Sequence, residues 1–379
     1  MDDERIRVVM VETGGWGGIH HYAYGLCDAL RRQPVVLELL THEQYELAER
    51  PHNFQRVHFF RRENYLRTLG RLWRRWRDRR PQVLHVQSLL APRKDWLLFL
   101  LCRALGIRIV LTAHNILPHE LRFFEGCFYR HYYRLAQAVI VHSMENKQRL
   151  LEQAPELDQG KVFVVPHGNY AHFRDLELGR DEARRQLGLP AGRQMVLFLG
   201  AIRPYKGVDL LLQAVGAVRQ SCPQALFVVA GHVLRGRRED YEQLAVSLGL
   251  GPDDLLLRFA YLSTAEAIAY VCASDLVVLP YRKIYQSGIL FLAGSFGRPV
   301  LATRVGSFPE TIEEGRSGWL VEPGDLAGLQ QVLVGVLQEP QRLVEVGAYA
   351  RHLAHTRHSW DDIARQTVRV YERAHAGAA

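Results

Sequence analysis

No uninterrupted apolar run in the chain approaches the ~20 residues that a bilayer-spanning helix needs. A stretch from Trp96 to Cys102 comes nearest and stops at Arg103. The five cysteines, Cys27, Cys102, Cys127, Cys222 and Cys272, are odd in number and far apart, and no pair has metal-ligand spacing. That excludes a disulfide-stapled miniprotein and points to reduced core thiols in a cytosolic protein. Met1, Asp2, Asp3, Glu4 and Arg5 are mostly acidic and lead straight into a strand-like run, so no secretory signal is expected. There is no Asp-x-Asp, no nucleophile elbow and no P-loop. Fixed-period repeats and low-complexity tracts are absent as well. What remains is a chain of 379 residues, 48% hydrophobic and 23% charged, the balance of a soluble globular protein with two domains.

The net charge of +8 is unevenly placed. Between Arg61 and Arg80 nine arginines stand against Glu63 and Asp78, so this segment carries most of the imbalance. Within it Tyr65, Leu66, Leu69, Leu72, Trp73 and Trp76 recur at three- and four-residue steps, one apolar stripe on an arginine-rich helix. Two readings are open. The stripe packs on the core and the arginines are solvated, or the helix lies on an anionic membrane surface with Trp at the headgroup level. A nucleic-acid surface is a third reading, but nothing elsewhere resembles a nucleic-acid module and no such partner is expected.

Two series of alternating strands and helices follow one another. The first opens with Ile6–Val11, then Gly14, Gly15, Trp16, Gly17 and Gly18, a helix from about His20 to Arg31, and a strand from Val35 to Leu40. Val83–Val86, Ile109–Thr112, Ala138–Val141 and Val162–Val165 read as further buried strands. The second series has strands at Met195–Leu199, Leu226–Ala230, Leu256–Phe259, Leu276–Leu279, Val300–Thr303 and Trp319–Val321. Ser263 and Glu266 form a capping box between them. The stretch from Gly168 to Arg193 reads as a linker. The expected fold is α/β, with two Rossmann-like doubly wound domains facing across a cleft and ligands at the carboxyl ends of the strands. Expected boundaries are 1–178, 179–356 and a terminal helix, 357–379.

The strongest chemical cluster is the loop Gly200, Ala201, Ile202, Arg203, Pro204, Tyr205, Lys206, Gly207. Two cations three residues apart, after a strand, suit a diphosphate, since Arg grips two oxygens and Lys supplies a point charge. The competing reading is a pair of solvated surface cations. The second cluster is Tyr281, Arg282, Lys283, Ile284, Tyr285, Gln286, Ser287, Gly288, before an apolar helix-like run. Unpaired amides at a helix start bind anions, and Gly288 permits close approach; an ordinary capped helix is the competing reading. The first Gly-rich loop has His20 where the dinucleotide fingerprint needs its third glycine, so a nicotinamide cofactor is weakly supported. His85, His114, His142 and His167 end strands and are read as a polar cleft lining, with His114 the best candidate; no metal site is expected from them.

With these residues in view, the chain resembles the retaining GT-B glycosyltransferases of family 4, also called group 1, over almost its whole length. The resemblance is most specific in Gly200–Gly207, in Val229-Ala230-Gly231-His232, and in the helix and strand from Tyr270 to Tyr281. Gly297-Arg298-Pro299-Val300, Val305-Gly306-Ser307-Phe308-Pro309-Glu310 and Ser317-Gly318-Trp319-Leu320-Val321 extend it. In the first half Gly17-Gly18, His114 and Pro166-His167-Gly168 stand where the family has its Gly-Gly loop, His loop and interdomain strand end, and Ser359-Trp360 resembles the terminal helix. One departure is marked: Tyr285 and Leu292 occupy the positions of the family's two glutamates.

The resemblance implies transfer of a sugar from a nucleotide diphosphate sugar to an acceptor hydroxyl with retention, without a metal and without a cofactor. Arg203, Lys206 and His114 would be catalytic, with His114 on the donor sugar. Gly17, Gly18, Gly200, Tyr285, Gln286, Ser287, Gly288 and Ile289 would bind the donor and its diphosphate. Gly231, His232, Arg258, Phe259 and Tyr261 would surround the base. Exopolysaccharide, lipopolysaccharide or glycolipid synthesis is the expected setting, cytoplasmic or peripheral at the inner membrane face, with a sugar or lipid-linked sugar as acceptor. A glycoside hydrolase would need two facing carboxylates and gains nothing from the Arg203–Lys206 loop. A sugar-nucleotide epimerase on the same fold and a non-catalytic nucleotide or membrane-surface binding protein stay open as alternatives.

Overall fold

The computed structural model describes residues 5–60, 65–89, 94–117 and 125–376. Met1 to Glu4, the first four residues of the Arg61–Arg80 segment, and the last three residues lie outside the described residues. The chain divides into two compact units, Met1–Gly168 with His358–Ala379, and Asn169–Arg357.

The first unit runs β1 (Ile6–Val11), α1 (Gly17–Leu30), β2 (Val35–His42), β3 (Gln55–Phe60), α2 (Tyr65–Asp78), β4 (Val83–Val86), α3 (Trp96–Ala104), β5 (Arg108–Thr112), α4 (Glu125–Leu135), β6 (Ala138–Val141), α5 (Met144–Gln153) and β7 (Val162–Val164). One parallel sheet results, in the order β3-β2-β1-β4-β5-β6-β7. β4 and β6 are buried at every position, which is why their sequences are unbroken apolar runs apart from His85. β3 escapes sequence reading because it is an edge strand in which only Phe59 and Phe60 are buried.

The second unit runs α6 (Arg180–Leu187), β8 (Gln194–Leu199), α7 (Val208–Ser221), β9 (Ala225–Ala230), α8 (Arg238–Ser247), β10 (Leu255–Arg258), α9 (Thr264–Ala273), β11 (Leu276–Leu279), α10 (Gly288–Ser295), β12 (Val300–Thr303), α11 (Phe308–Thr311), β13 (Gly318–Val321), α12 (Leu326–Gln338) and α13 (Pro340–Thr356). Its six strands are parallel in the order β10-β9-β8-β11-β12-β13. The capping box opens α9: Ser263 Oγ accepts from Glu266 N at 3.2 Å and Glu266 Oε2 accepts from Ser263 N at 2.9 Å. Parallel pairing puts the loops after β8, β9, β10, β11 and β12 at one edge of the sheet.

The last helix, α14 (Trp360–Ala376), belongs to the first unit. Its Trp360 explains two glycines there. A Cβ on Gly25 would come within 2.5 Å of the indole, and one on Gly168 within 2.3 Å.

The expected linker is different in fact. Between Gly168 and Arg193 lie a 3₁₀ turn at Ala171–Leu176 and α6. Arg184 of α6 is buried, its guanidinium donating to the carbonyls of Ala273, Ala191 and Arg193 and to Asp275 Oδ2. The turn is held by Tyr170 N donating to Ser295 Oγ at 2.8 Å and by a two-pronged Arg351–Glu177 pair. The division therefore falls after Gly168 and not after residue 178, and the second falls after Arg357 and not after residue 356. Of the cysteines, four are buried and Cys127 is exposed.

Candidate active site

The second unit brings the Arg203–Lys206 loop and the start of α10 together. β8 ends at Leu199, and the chain then turns through Gly200 at φ +114°, a conformation that L side chains rarely adopt. A Cβ built on Gly200 would lie 3.5 Å from Lys206 Nζ and 3.7 Å from Ile289 Cγ1, so the ammonium and the first turn of α10 meet over this glycine. The loop is stitched to the segment after β11. Arg282 N donates to the Tyr205 carbonyl at 2.7 Å, and its guanidinium donates to the Pro204 carbonyl and to both carboxylate oxygens of Asp209. Gly207 is forced to be glycine, because a Cβ there would sit 2.0 Å from the Pro280 carbonyl oxygen.

Arg203 and Lys206 are half-buried, not a pair of fully solvated cations. Burial first, and then the positive charge of Arg203, push the Lys206 ammonium down to about 8. Lys206 Nζ lies 5.3 Å from the centroid of the Tyr281 ring. The buried Tyr281 hydroxyl interacts with the Ser287 side chain, and Gln286 Oε1 is buried without a hydrogen-bond partner among the described residues. Ser287 is the N-cap of α10 but its side chain makes no capping bond. The first-turn amides of α10 are of the kind a helix leaves without i−4 acceptors, and among them Leu290 N donates back to the Ser287 carbonyl at 3.3 Å.

Gly288 has a reason that the sequence does not display. A Cβ there would lie 2.5 Å from the Tyr170 hydroxyl oxygen. Tyr170 is buried, and its ring stacks near His172 and Phe173. So the glycine makes room for a phenol of its own unit. Tyr285, Gln286 and Ile289 flank the same turn and are half-buried, and Tyr285 O accepts from Ser307 N at 3.3 Å. Leu292 is buried inside α10.

The base-side candidates lie at the neighbouring strand ends. Gly231 follows β9, and a Cβ on it would fall 2.1 Å from the Gly200 carbonyl oxygen. Gly231 N donates to Arg258 O, and Ile202 N to His232 O. The His232 ring is 5.8 Å from that of Tyr261, which is 54% exposed. Burial, then the charges of Lys206 and Arg203, lower His232 below its ordinary value, which places it within electrostatic reach of both cations. Arg258 is exposed and Phe259 half-buried at the end of β10.

In the first unit the four histidines do gather, but inside it rather than as a lining. His85, His142 and His167 are 0%, 6% and 5% exposed, and His114 is half-buried. Three of the rings surround the buried Tyr22 ring, with centroids at 4.8 Å for His114, 5.0 Å for His142 and 5.1 Å for His167. Both ring nitrogens of His114 have protein neighbours: Nε2 is 2.8 Å from Gln87 Oε1 and Nδ1 is 3.1 Å from His142 Nε2. Burial drives His85 down to about 3 and His142 to about 4, and pushes His114 well below the ordinary histidine range. His85, His114 and His142 are therefore neutral near pH 7. Among the described residues, no three His, Cys, Asp or Glu side chains are grouped to hold a metal ion.

The Gly-rich loop after β1 is organised by a carboxylate. Glu12, 1% exposed, accepts from Gly14 N at 2.6 Å, Gly15 N at 2.9 Å and Thr41 Oγ1 at 3.3 Å, and pairs with His20 Nδ1 at 3.0 Å. Burial works to raise Glu12; His20 and the two amides outweigh it and hold the carboxyl below its ordinary value. His20, the residue that breaks the dinucleotide fingerprint, is thus the partner of this carboxylate. Gly17 opens α1 at φ +79° and its amide donates to Glu46 Oε2 at 3.1 Å, while Gly18 is exposed.

Known proteins share this architecture. A sucrose-phosphate synthase from Thermosynechococcus elongatus superposes with TM-score 0.77 at 20% identity, covering 99% of this chain and 100% of that one. The Anabaena protein HepE, solved in complex with UDP and glucose, gives TM-score 0.79 at 17% identity, covering 97% and 100%. The two parallel sheets define a GT-B glycosyltransferase fold. The family described as Glycosyltransferase Family 4 matches residues 16–169, and that described as Glycosyl transferases group 1 matches residues 193–339. The chain carries both of these glycosyltransferase domains. It is 32% identical over 250 residues to a D-inositol 3-phosphate glycosyltransferase of Streptomyces scabiei, covering 64% of this chain and 55% of that protein. Its match to the Streptomyces avermitilis protein of the same name is 34% over 251 residues, 63% and 52% respectively. The matched stretches thus span about half the length of those relatives.

Proposed function

We propose that the chain transfers a sugar, with retention, from a nucleoside diphosphate sugar to an acceptor hydroxyl, and that protein cations rather than a metal ion neutralise the leaving diphosphate. One observation carries this reading: Lys206 Nζ, the turn at Gly200 and the start of α10 converge at a single strand end, with Arg203 beside them. As the glycosidic bond stretches, negative charge grows on the diphosphate. Arg203, Lys206 and the amides near Ser287 and Gly288 would oppose it. HepE, a protein of the same fold, was solved with UDP-glucose, which makes a uridine donor the first to try. Transfer by Arg203→Ala and Lys206→Ala variants is the test. Each loses on the order of 10²–10³ in turnover if the assignment holds; unchanged rates in both would remove it.

The acceptor on this reading is a lipid-linked sugar, in exopolysaccharide, lipopolysaccharide or glycolipid synthesis at the inner membrane face. α2 supports it in part. Thr68, Leu72 and Trp76 form its buried face, whereas Leu66 and Trp73 are 64% and 43% exposed among arginines. On α3 Trp96 and Leu100 are 43% and 51% exposed. The two helices are tied at both ends, by Tyr65 Oη donating to Asp95 Oδ1 and by Arg80 donating to the Leu105 carbonyl. Exposed aromatics beside cations suit the interface of an anionic bilayer. The name of the relatives favours a second acceptor class, a phosphorylated inositol. Product analysis with each acceptor separates the two.

A further inference from the structure

The buried polar chain around His114 has a direction, and that direction has a consequence for where its protons sit. His142 Nδ1 faces the Val165 carbonyl oxygen at 3.0 Å, so it must carry a hydrogen. A neutral His142 then only accepts at Nε2, and His114 Nδ1 must donate to it across 3.1 Å. His114 Nε2 faces Gln87 Oε1 at 2.8 Å, and an amide oxygen also only accepts. With Gln87 in this orientation His114 must donate from both nitrogens and is a cation.

Reversing the Gln87 amide removes the conflict. Its nitrogen then donates to His114 Nε2, and its oxygen accepts from His85 Nε2, the pair now 3.2 Å apart. His85 Nδ1 in turn accepts from the Tyr371 hydroxyl at 2.7 Å, and Thr112 Oγ1, 2.7 Å from His85 Nε2, serves as a second acceptor. Each ring hydrogen of His85, His114 and His142 finds an acceptor in this neutral arrangement, as does the Tyr371 hydroxyl hydrogen. The reversal forfeits only a weak contact of Gln87 Nε2 with Met10 Sδ at 3.7 Å. In the cationic arrangement His85 instead donates from Nδ1 to Tyr371, and the Thr112 hydroxyl donates into Nε2. The two states differ by one proton on His114, one amide reversal and one tautomer change on His85.

We propose that Gln87 is a positioning residue: its side-chain amide selects which nitrogens of His114 carry hydrogen, and its reversal accompanies proton uptake by His114. Gln87 is 2% exposed, so water does not compete for either end of the amide. The titratable groups facing His114 are His142 and His167 from the segments after β6 and β7, His85 from β4, and the Tyr22 phenol from α1. Neighbouring histidines that gain protons would repel a charge on His114, and its burial disfavours the cation. The neutral state, with hydrogen on Nδ1 of His114, is therefore the resting one near pH 7. Only the consequence for sugar transfer rests on His114 contacting the donor; the proton positions do not.

The experiment is nitrogen-15 NMR of full-length protein labelled at histidine, recorded from pH 8 to pH 4 in wild type, Gln87→Met and Gln87→Glu. Wild type should show His114 as the Nδ1–H tautomer at pH 7, and His85 should change tautomer in the same step in which His114 gains its proton. Gln87→Glu should raise the His114 midpoint by one pH unit or more, and Gln87→Met should uncouple the His85 and His114 transitions. A wild-type His114 protonated on Nε2 at pH 7, or a His85 tautomer that ignores the His114 transition, overturns the proposal even should neither variant fold. If the tautomers behave as stated and Gln87→Met leaves transfer unchanged, the relay stands and the donor-sugar role of His114 falls.

Discussion

Lys206 offers a quantitative handle on the proposed donor site. Burial and Arg203 bring its ammonium from 10.5 to about 8 in the unliganded protein. Keeping it charged there costs on the order of 3 kcal/mol relative to water. A diphosphate placed against it supplies the missing counter-charge and restores full protonation. At pH 8 the free protein is half protonated at this site, so binding takes up ~0.5 proton, falling to ~0.1 proton at pH 7. The terminal phosphate is already ionised at pH 8, since its second pKa lies near ~6. Isothermal calorimetry of a nucleoside diphosphate in buffers of different ionisation enthalpy reads this uptake directly. Affinity should also weaken above pH 8, approaching ~10-fold per pH unit. In Lys206→Arg the guanidinium stays charged throughout, and the uptake should vanish. Absence of uptake in wild type at pH 8, or equal uptake in Lys206→Arg, would refute the placement of Lys206 against the phosphates.

Gly288→Ala forces its methyl to within 2.5 Å of the Tyr170 oxygen, while the ring carbon behind it lies at 3.6 Å, ordinary contact. The substitution should destabilise by ~1–3 kcal/mol in urea denaturation, and Tyr170→Phe should restore most of that loss; no coupling between the two would rule out the clash. Acid should weaken the first unit. His85 and His142 are neutral in the fold, with values of about 3 and about 4, but their unfolded counterparts gain protons near 6.5. The unfolded chain then binds more protons, and stability falls by ~1.4 kcal/mol per pH unit for each histidine as pH drops below 6.5. Denaturation midpoints that do not move between pH 7 and pH 5 would contradict this. For the membrane reading, Leu66→Glu with Trp73→Glu should abolish flotation with anionic vesicles at low salt while leaving turnover on a soluble acceptor unchanged. Equal recovery of wild type from neutral and anionic vesicles would count against it.

Much of the fold is legible because parallel strands covered on both faces must be apolar throughout. β1, β4, β6, β11 and β12 run where the sequence places them, to the residue. β3 is not legible, since an edge strand needs only half an apolar pattern. α6 reads as a linker because glycines and a proline flank it, and nothing local shows that Arg184 will be buried against carbonyls 7 to 89 residues away. The cation pair of the site is visible as spacing, and its burial is not. Tyr170 over Gly288, and Arg282 holding Asp209, arise from packing between segments 118 and 73 residues apart, which no window along the chain reveals. The four histidines are visible as strand ends, but whether they face solvent or one another depends on Tyr22 filling the space between them.

A crystal structure with a nucleoside diphosphate bound decides the central claim. The phosphates should lie over Gly200, with oxygens within about 3.2 Å of Lys206 Nζ, the Arg203 guanidinium and the first amides of α10. Phosphates bound elsewhere, with the space between Lys206 and Ile289 left empty, would contradict the account.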